Sequence, residues 1–156
     1  MKFSGPLIVV ADMERSKAFY KEVLGLEVIL DFGANITLAG DLFLQTKASW
    51  CKFINKGEAE IINKNHAGEL YFEEECFDDF IEKLGQRTDI HYVHPVIEQS
   101  WGQRGVRFYD PDLHVIEVGE EMGSVIRRFI EGGLSIEETA RRMDVPIDYV
   151  QGYLSK

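Results

Sequence analysis

A strand, a helix and three strands, written twice in the same order, constrain this chain more than any other feature. The first pass opens on the apolar run at residues 7–11. A helix is predicted over 13–23, with Asp12 as its N-cap and Gly25 just past its end. Strands follow at 27–31, 34–39 and 41–46, broken at Gly33 and Gly40. The second pass has a strand at 69–74, a helix over 77–84 stopped by Gly85, and strands at 90–97, 104–109 and 114–119. A plan repeated this way predicts two copies of one βαβββ unit, an α+β fold. Residues 47–67, polar and lysine-rich, read as a connector with an irregular strand. A chain of 156 residues can bury one good core and still carry a small appendage.

Side chains alternate along a strand, so each strand sorts its residues onto two faces. Suppose Asp110 stands opposite His114 across the turn Pro111-Asp112-Leu113. Val106, Phe108, Ile116 and Val118 then share an apolar face, while Arg107, Tyr109, Val115 and Glu117 share the other. Elsewhere Ile8, Val10, Leu42, Leu44, Leu70 and Phe72 are core candidates. That turns Gly5, Leu7, Val9, Phe43, Gln45, Glu69, Tyr71 and Glu73 the opposite way. A twisted sheet with one such mixed face can curl into a half-open cup. A buried, unpaired carboxylate costs roughly several kcal/mol or takes up a proton. Glu117 therefore calls for a cation, and Arg107 stands directly across from it.

Several classes are disfavoured. No apolar run approaches the roughly 20 residues of a spanning helix, and the run at 7–10 is too short for a signal-peptide core. Cys51 and Cys76 have no motif spacing and fit reduced thiols in a cytoplasmic protein. A net charge of −10 disfavours nucleic acid and anionic membrane as partners. The four histidines read as structural or surface residues. His66 is in the connector, His91 and His94 are spaced onto opposite faces, and His114 falls on the apolar side at the hairpin's end. Cys76 opens a helix, but Glu73-Glu74-Glu75 before it oppose a thiolate.

After residue 121 the pattern becomes helical, with helices predicted over 125–131, 136–143 and 147–154. Ser135 and Glu138 form a capping box, and Pro146 opens the last helix. The spacing of Ile136, Ala140, Met143, Val145, Val150 and Leu154 is similar to helix-turn-helix motifs of bacterial regulators. The would-be recognition helix starts with Asp148 and Tyr149 and has no Arg or Lys, which argues against DNA. The helices are expected to dock on the protein's own sheet or on a partner subunit.

Three stretches together carry a family resemblance. They are Val10-Ala11-Asp12-Met13-Glu14-Arg15-Ser16 with Phe19-Tyr20 and Leu24-Gly25-Leu26; Leu70-Tyr71-Phe72-Glu73 with the helix after it; and Phe108-Tyr109-Asp110-Pro111-Asp112 followed by Ile116-Glu117. In this order and spacing the chain resembles the vicinal oxygen chelate superfamily of glyoxalase I, bleomycin-resistance proteins and extradiol dioxygenases. The resemblance implies paired βαβββ modules, at about 3–47 and 67–120, forming a curved, cup-shaped mixed sheet. Residues 1–121 would be the glyoxalase-like domain and 122–156 a C-terminal three-helix extension.

What the resemblance implies about function follows residue by residue. The family's first metal-ligand position falls on Gly5, which has no side chain, and its second-module counterpart falls on Glu69. The last-strand glutamate is Glu117, and Gln45 takes the symmetry-related place in the first module. Glu117 and Glu69 are thereby the candidate catalytic carboxylates. With Gln45 they form a candidate all-oxygen metal set for Mg, Mn, Ni or Zn, suited to Mg or Mn more than to Zn. The His-His-Glu set of an iron dioxygenase is absent. Arg107, Trp101, Tyr109 and Phe43 are candidate ligand contacts, Trp101 serving either as a ligand cap or as a plug in the core.

Three readings stay open: a divalent-metal-dependent lyase or isomerase, a metal-free module sequestering a small molecule, and a ligand-sensing regulator acting through the C-terminal helices. The resemblance also implies a homodimer. It places glycine where this chain has Leu113, a position where a three-residue hairpin loop requires positive φ.

Overall fold

The computed structural model of the chain describes residues 1–155. The first copy of the repeat comprises β1 (Leu7–Val10), α1 (Met13–Leu24), β2 (Val28–Asp31), β3 (Asn35–Leu38) and β4 (Leu42–Thr46). After α2 (Lys47–Ile54) and a 3-10 turn (Glu58–Glu60), the second comprises β5 (Glu69–Glu74), α3 (Phe77–Gly85), β6 (His91–Glu98), β7 (Arg104–Tyr109) and β8 (Val115–Glu120). Helices α4 (Met122–Glu131), α5 (Ile136–Met143) and α6 (Ile147–Leu154) complete the chain.

The strands form two four-stranded mixed sheets, ordered β1-β4-β3-β2 and β5-β8-β7-β6. β1 runs parallel to β4, and β5 runs parallel to β8. The second order is the first shifted by four, so the repeat in the sequence is a repeat in topology. The chain divides into two compact units. The first is Met1–Gly68 with Tyr109–His114; the second is Glu69–Phe108 with the chain from Val115 onward.

In the first unit, α1 begins at Asp12, whose carboxylate accepts the Arg15 amide at 3.0 Å, and ends at Gly25 in the left-handed conformation. It buries Ser16, Phe19 and Tyr20. The same unit's core takes Val10, Ile36, Leu38, Leu42 and Leu44. The turn 109–114 is tied down by two buried carboxylates. Asp112 accepts from the Ala11 amide at 3.0 Å and the Ser16 hydroxyl at 3.3 Å, and pairs with Arg15. Asp110 accepts from the Tyr20 hydroxyl at 2.8 Å and from the amides of Asp112 and His114. Burial, reinforced by the Asp110 carboxylate, pushes the Tyr20 phenol well above its usual range, so it stays a donor.

One expectation is corrected here. The connector holds a helix rather than an irregular strand. Ser49 bonds back to the Thr46 carbonyl, Cys51 is buried, and Asn55 stops the helix in the left-handed region at φ 53°. An eight-residue helix with only Cys51 buried gives too short a periodic signal to separate from a strand. His114 stands at the hairpin's end, its Nδ1 2.9 Å from the Asp110 carboxylate.

Asp110 does stand opposite His114, its amide donating to the His114 carbonyl at 3.0 Å. Leu113 is forced to φ 68°. A non-glycine residue held there costs about 1 kcal/mol or more. Leu113→Gly is therefore expected to raise stability by about 0.5–1 kcal/mol, read as a higher urea midpoint at an unchanged m-value.

In the second unit the hairpin's apolar face forms as the alternation requires, with Val106, Phe108, Ile116 and Val118 all buried. α3 adds Phe77 and Leu84. Helices α4 to α6 share a core of their own, with Val125, Ile126, Ala140, Met143 and Val150 at its centre. They belong to the same compact unit as the second sheet. Among the described residues, no helix is long and apolar enough to cross a membrane.

Candidate functional site

The parallel register of β5 on β8 sets Glu69 beside Val115 and Tyr71 beside Glu117. Glu69, Tyr71, Glu73 and Glu117 thus share the face opposite the apolar core. Arg107 reaches both carboxylates from β7. Its Nε donates to Glu69 at 2.8 Å, and its second terminal nitrogen donates to Glu69 and to Glu117. The first terminal nitrogen lies 3.2 Å from His94 Nε2 on β6. A guanidinium only donates, so His94 accepts there, and its Nδ1–H donates to the Pro95 carbonyl at 2.7 Å. One cation therefore joins residues of all four strands of this sheet.

The two glutamates differ in environment. Glu117 is 8% exposed, and burial, aided by the neighbouring Glu69, pushes its carboxyl up despite Arg107. The hydrogen bond from Arg107 holds Glu69, on the more open side, below the usual carboxylate range. The two carboxyls are thus shifted in opposite directions.

A polar chain runs beside this cluster. Trp101 Nε1 donates to Gln103 Oε1 at 3.1 Å, and Gln103 Nε2 donates to the Tyr71 hydroxyl and to the Glu120 carbonyl, both at 2.9 Å. The Tyr71 hydroxyl donates to Glu73 at 3.0 Å. Gly119 keeps the space open, since a Cβ there would lie 2.9 Å from Gln103 Nε2 and 3.1 Å from the Tyr71 hydroxyl.

Of the residues singled out from the sequence, Glu69, Glu117 and Arg107 come together. Trp101 is in the same unit, bonded to Gln103. Gln45, Phe43 and Tyr109 lie in the first unit. The Gln45 amide is spent at both ends there: Asn35 donates to its oxygen, and its nitrogen donates to Ala34 O and Ser49 Oγ. The Tyr109 hydroxyl is 2.6 Å from His66 Nε2, with Lys64 over its ring. Phe43 is half-buried and paired with Leu7 and Thr37.

His94, read as a structural or surface histidine, joins the cluster through its contact with Arg107. Gln103 was not anticipated at all. Only the pairing of β6 with β7 reveals the first, and no local pattern marks the second.

The donor set does not fit a divalent ion. Gly5 offers no ligand, Gln45 has no free end, and Arg107 uses the oxygens of Glu69 and Glu117 while placing a positive charge against them. Among the described residues, no three His, Cys, Asp or Glu side chains converge as a metal site. A separate cleft of about 470 Å³ lies between the start of α3 and α4. Within it Arg104 and Arg128 are both paired with Glu120. Burial raises the Glu120 carboxyl, but the two guanidiniums outweigh it and hold it low.

Residues 3–123 match the family described as the glyoxalase-like domain. The chain belongs to this family. Its glyoxalase-like domain shares its fold with solved members of the vicinal oxygen chelate superfamily. A protein of unknown function from Agrobacterium tumefaciens strain C58 is 32% identical, with a TM-score of 0.68, over 78% of this chain and 94% of that one. A glyoxalase/bleomycin resistance protein/dioxygenase superfamily member from Sphaerobacter thermophilus is 22% identical, with a TM-score of 0.60, over 78% and 98%. A lactoylglutathione lyase from Agrobacterium tumefaciens is also 22% identical, with a TM-score of 0.56, over 78% and 94%. At 22% identity these last two speak for the fold alone. No curated protein matches the sequence.

Proposed function

We propose that this glyoxalase-like protein binds a small organic cation on the polar face of its second sheet, without a divalent metal. The observation that carries this reading is the Arg107 guanidinium bonded to both Glu69 and Glu117. The carboxylate pair already accommodates a planar cation in the place a metal would need. Glu69, Glu73 and Glu117 outnumber Arg107 on this face, which leaves negative charge for a ligand. Tyr71 and Trp101, each partly exposed, add aromatic surface on which a cation can stack.

Benzamidinium is a suitable probe. Calorimetry is expected to show it binding equally well with and without EDTA, while Mg, Mn, Ni and Zn salts give no binding heat. Glu117→Gln should weaken benzamidinium roughly tenfold, the equivalent of about 1.4 kcal/mol. Tight metal binding, or loss of the probe on chelation, would refute the reading.

A second reading, proton transfer, draws on the opposite shifts of the two glutamates. Carboxyls pushed apart in this way can divide acid and base roles. Glu117 would carry the proton, with Glu69 ionised and Arg107 holding both in place. Exchange of the carbon-bound protons of dihydroxyacetone in D₂O, followed by NMR, tests it: exchange should exceed the buffer rate and fall to it in Glu117→Gln. A rate equal to buffer with the unaltered protein would rule this reading out.

A further inference from the structure

The loop carrying Trp101 and Gln103 is gripped from behind by the C-terminal helices. The loop closes through Gln99 and Gln103, with the Gln99 amide donating to the Gln103 carbonyl at 2.8 Å and the Gly102 amide donating to Gln99 at 2.9 Å. Gly102 has φ 90°, and a Cβ there would overlap the ring of Phe129 on α4. Arg128 donates to the Gly102 carbonyl at 2.6 Å, and Arg142 on α5 donates to the Ser100 carbonyl and, at 2.6 Å, to Glu98. Both guanidiniums lie over the Phe129 ring, at 4.9 Å and 5.3 Å from its centroid. Phe129, Arg128 and Arg142 thus form one clamp on Ser100 and Gly102, the residues on either side of Trp101.

On its other side the loop delivers Trp101 and Gln103 to the polar face. Gln103 is 7% exposed and spends both amide ends, holding Trp101 with one and Tyr71 and the β8 backbone with the other. We infer that the C-terminal helices set the aromatic wall of the ligand site, with Phe129 and Arg142 as positioning residues acting through Gln103 on Trp101 and Tyr71. Both residues lie past residue 123, where the family match ends. The wall is thereby a property of this chain's own appendage, and ligand choice would follow from it. The inference rests on the cation-binding reading for its ligand but on the loop geometry for its mechanism.

Trp101 reports on the clamp directly. In a Trp50→Phe background it is the sole tryptophan, so its emission and acrylamide quenching read the loop well below the unfolding temperature. Arg142→Gln, at a partly exposed site, and Phe129→Leu are expected to red-shift the emission and raise the quenching constant at least twofold. Each should weaken benzamidinium at least fivefold, and Gln103→Leu should do the same. Unchanged emission and quenching in Arg142→Gln and in any folded Phe129→Leu protein would overturn the inference. If benzamidinium fails to bind the unaltered protein, the cation reading falls while the Trp101 signals still decide whether the helices position the wall.

Discussion

Placing histidine at position 5, where the superfamily's first metal ligand would stand, is expected to lower stability by about 3–5 kcal/mol and to bring no metal. Gly5 has φ 134°, a conformation that side chains rarely adopt. A Cβ there would overlap the carbonyl oxygen of Asp41 and lie 3.0 Å from its carbonyl carbon. Both are backbone atoms, so no rotamer change relieves the contact. Asp41 is itself held at φ 59°, in a turn with little freedom to retreat. The glycine is therefore a requirement of the local backbone as well as a missing ligand. Urea denaturation of Gly5→His gives the stability loss, and calorimetry with Mn and Ni gives the metal result. A variant as stable as the parent would show that this turn yields.

Replacing Arg107 by methionine is expected to cost about 2 kcal/mol at neutral pH, below the 3–5 kcal/mol typical of breaking a fully buried pair because Glu69 is partly open to solvent. Its signature is the pH dependence. In the parent, Glu69 lies below its ordinary value, so its contribution is present above roughly pH 4.3 and fades as the solution becomes more acidic. Without Arg107, burial and mutual repulsion raise both glutamates above that value. A carboxyl raised in the folded state stabilises fully below its unfolded pKa, and that stability is lost as pH rises through the folded one. The deficit of Arg107→Met should therefore shrink towards pH 4 and be largest near pH 7.5. Urea midpoints across this range check it, and a deficit independent of pH would mean the guanidinium does not hold the two carboxylates.

Much of this was legible in the sequence because it is local. Alternation placed Val106, Phe108, Ile116 and Val118 in the core, and the repeated plan gave both sheets. Asp12, Gly25 and the Ser135–Glu138 box marked helix ends that the structure keeps. The hairpin set Arg107 opposite Glu117 because a tight turn fixes which residues face each other, and the structure shows them bonded. The turn also pointed to strain at Leu113, found at φ 68°.

The rest depended on pairings between distant segments. Glu69 joins Arg107 through the parallel register of β5 on β8, and a strand's own pattern says which face a residue takes but not which neighbour it meets. His94 enters for the same reason from β6. Gln45 was a ligand candidate by position, yet its contacts with Ala34, Asn35 and Ser49 turn it into a closed structural amide. The sequence by itself determined the strands, their faces and the placing of Arg107 opposite Glu117, because turn geometry and side-chain alternation act over a few residues. The tertiary structure alone decided that one guanidinium binds two glutamates and a histidine, and that the C-terminal helices hold the loop beside them. Such contacts exist only after long-range strand registers and helix packing are fixed, and no local propensity encodes them.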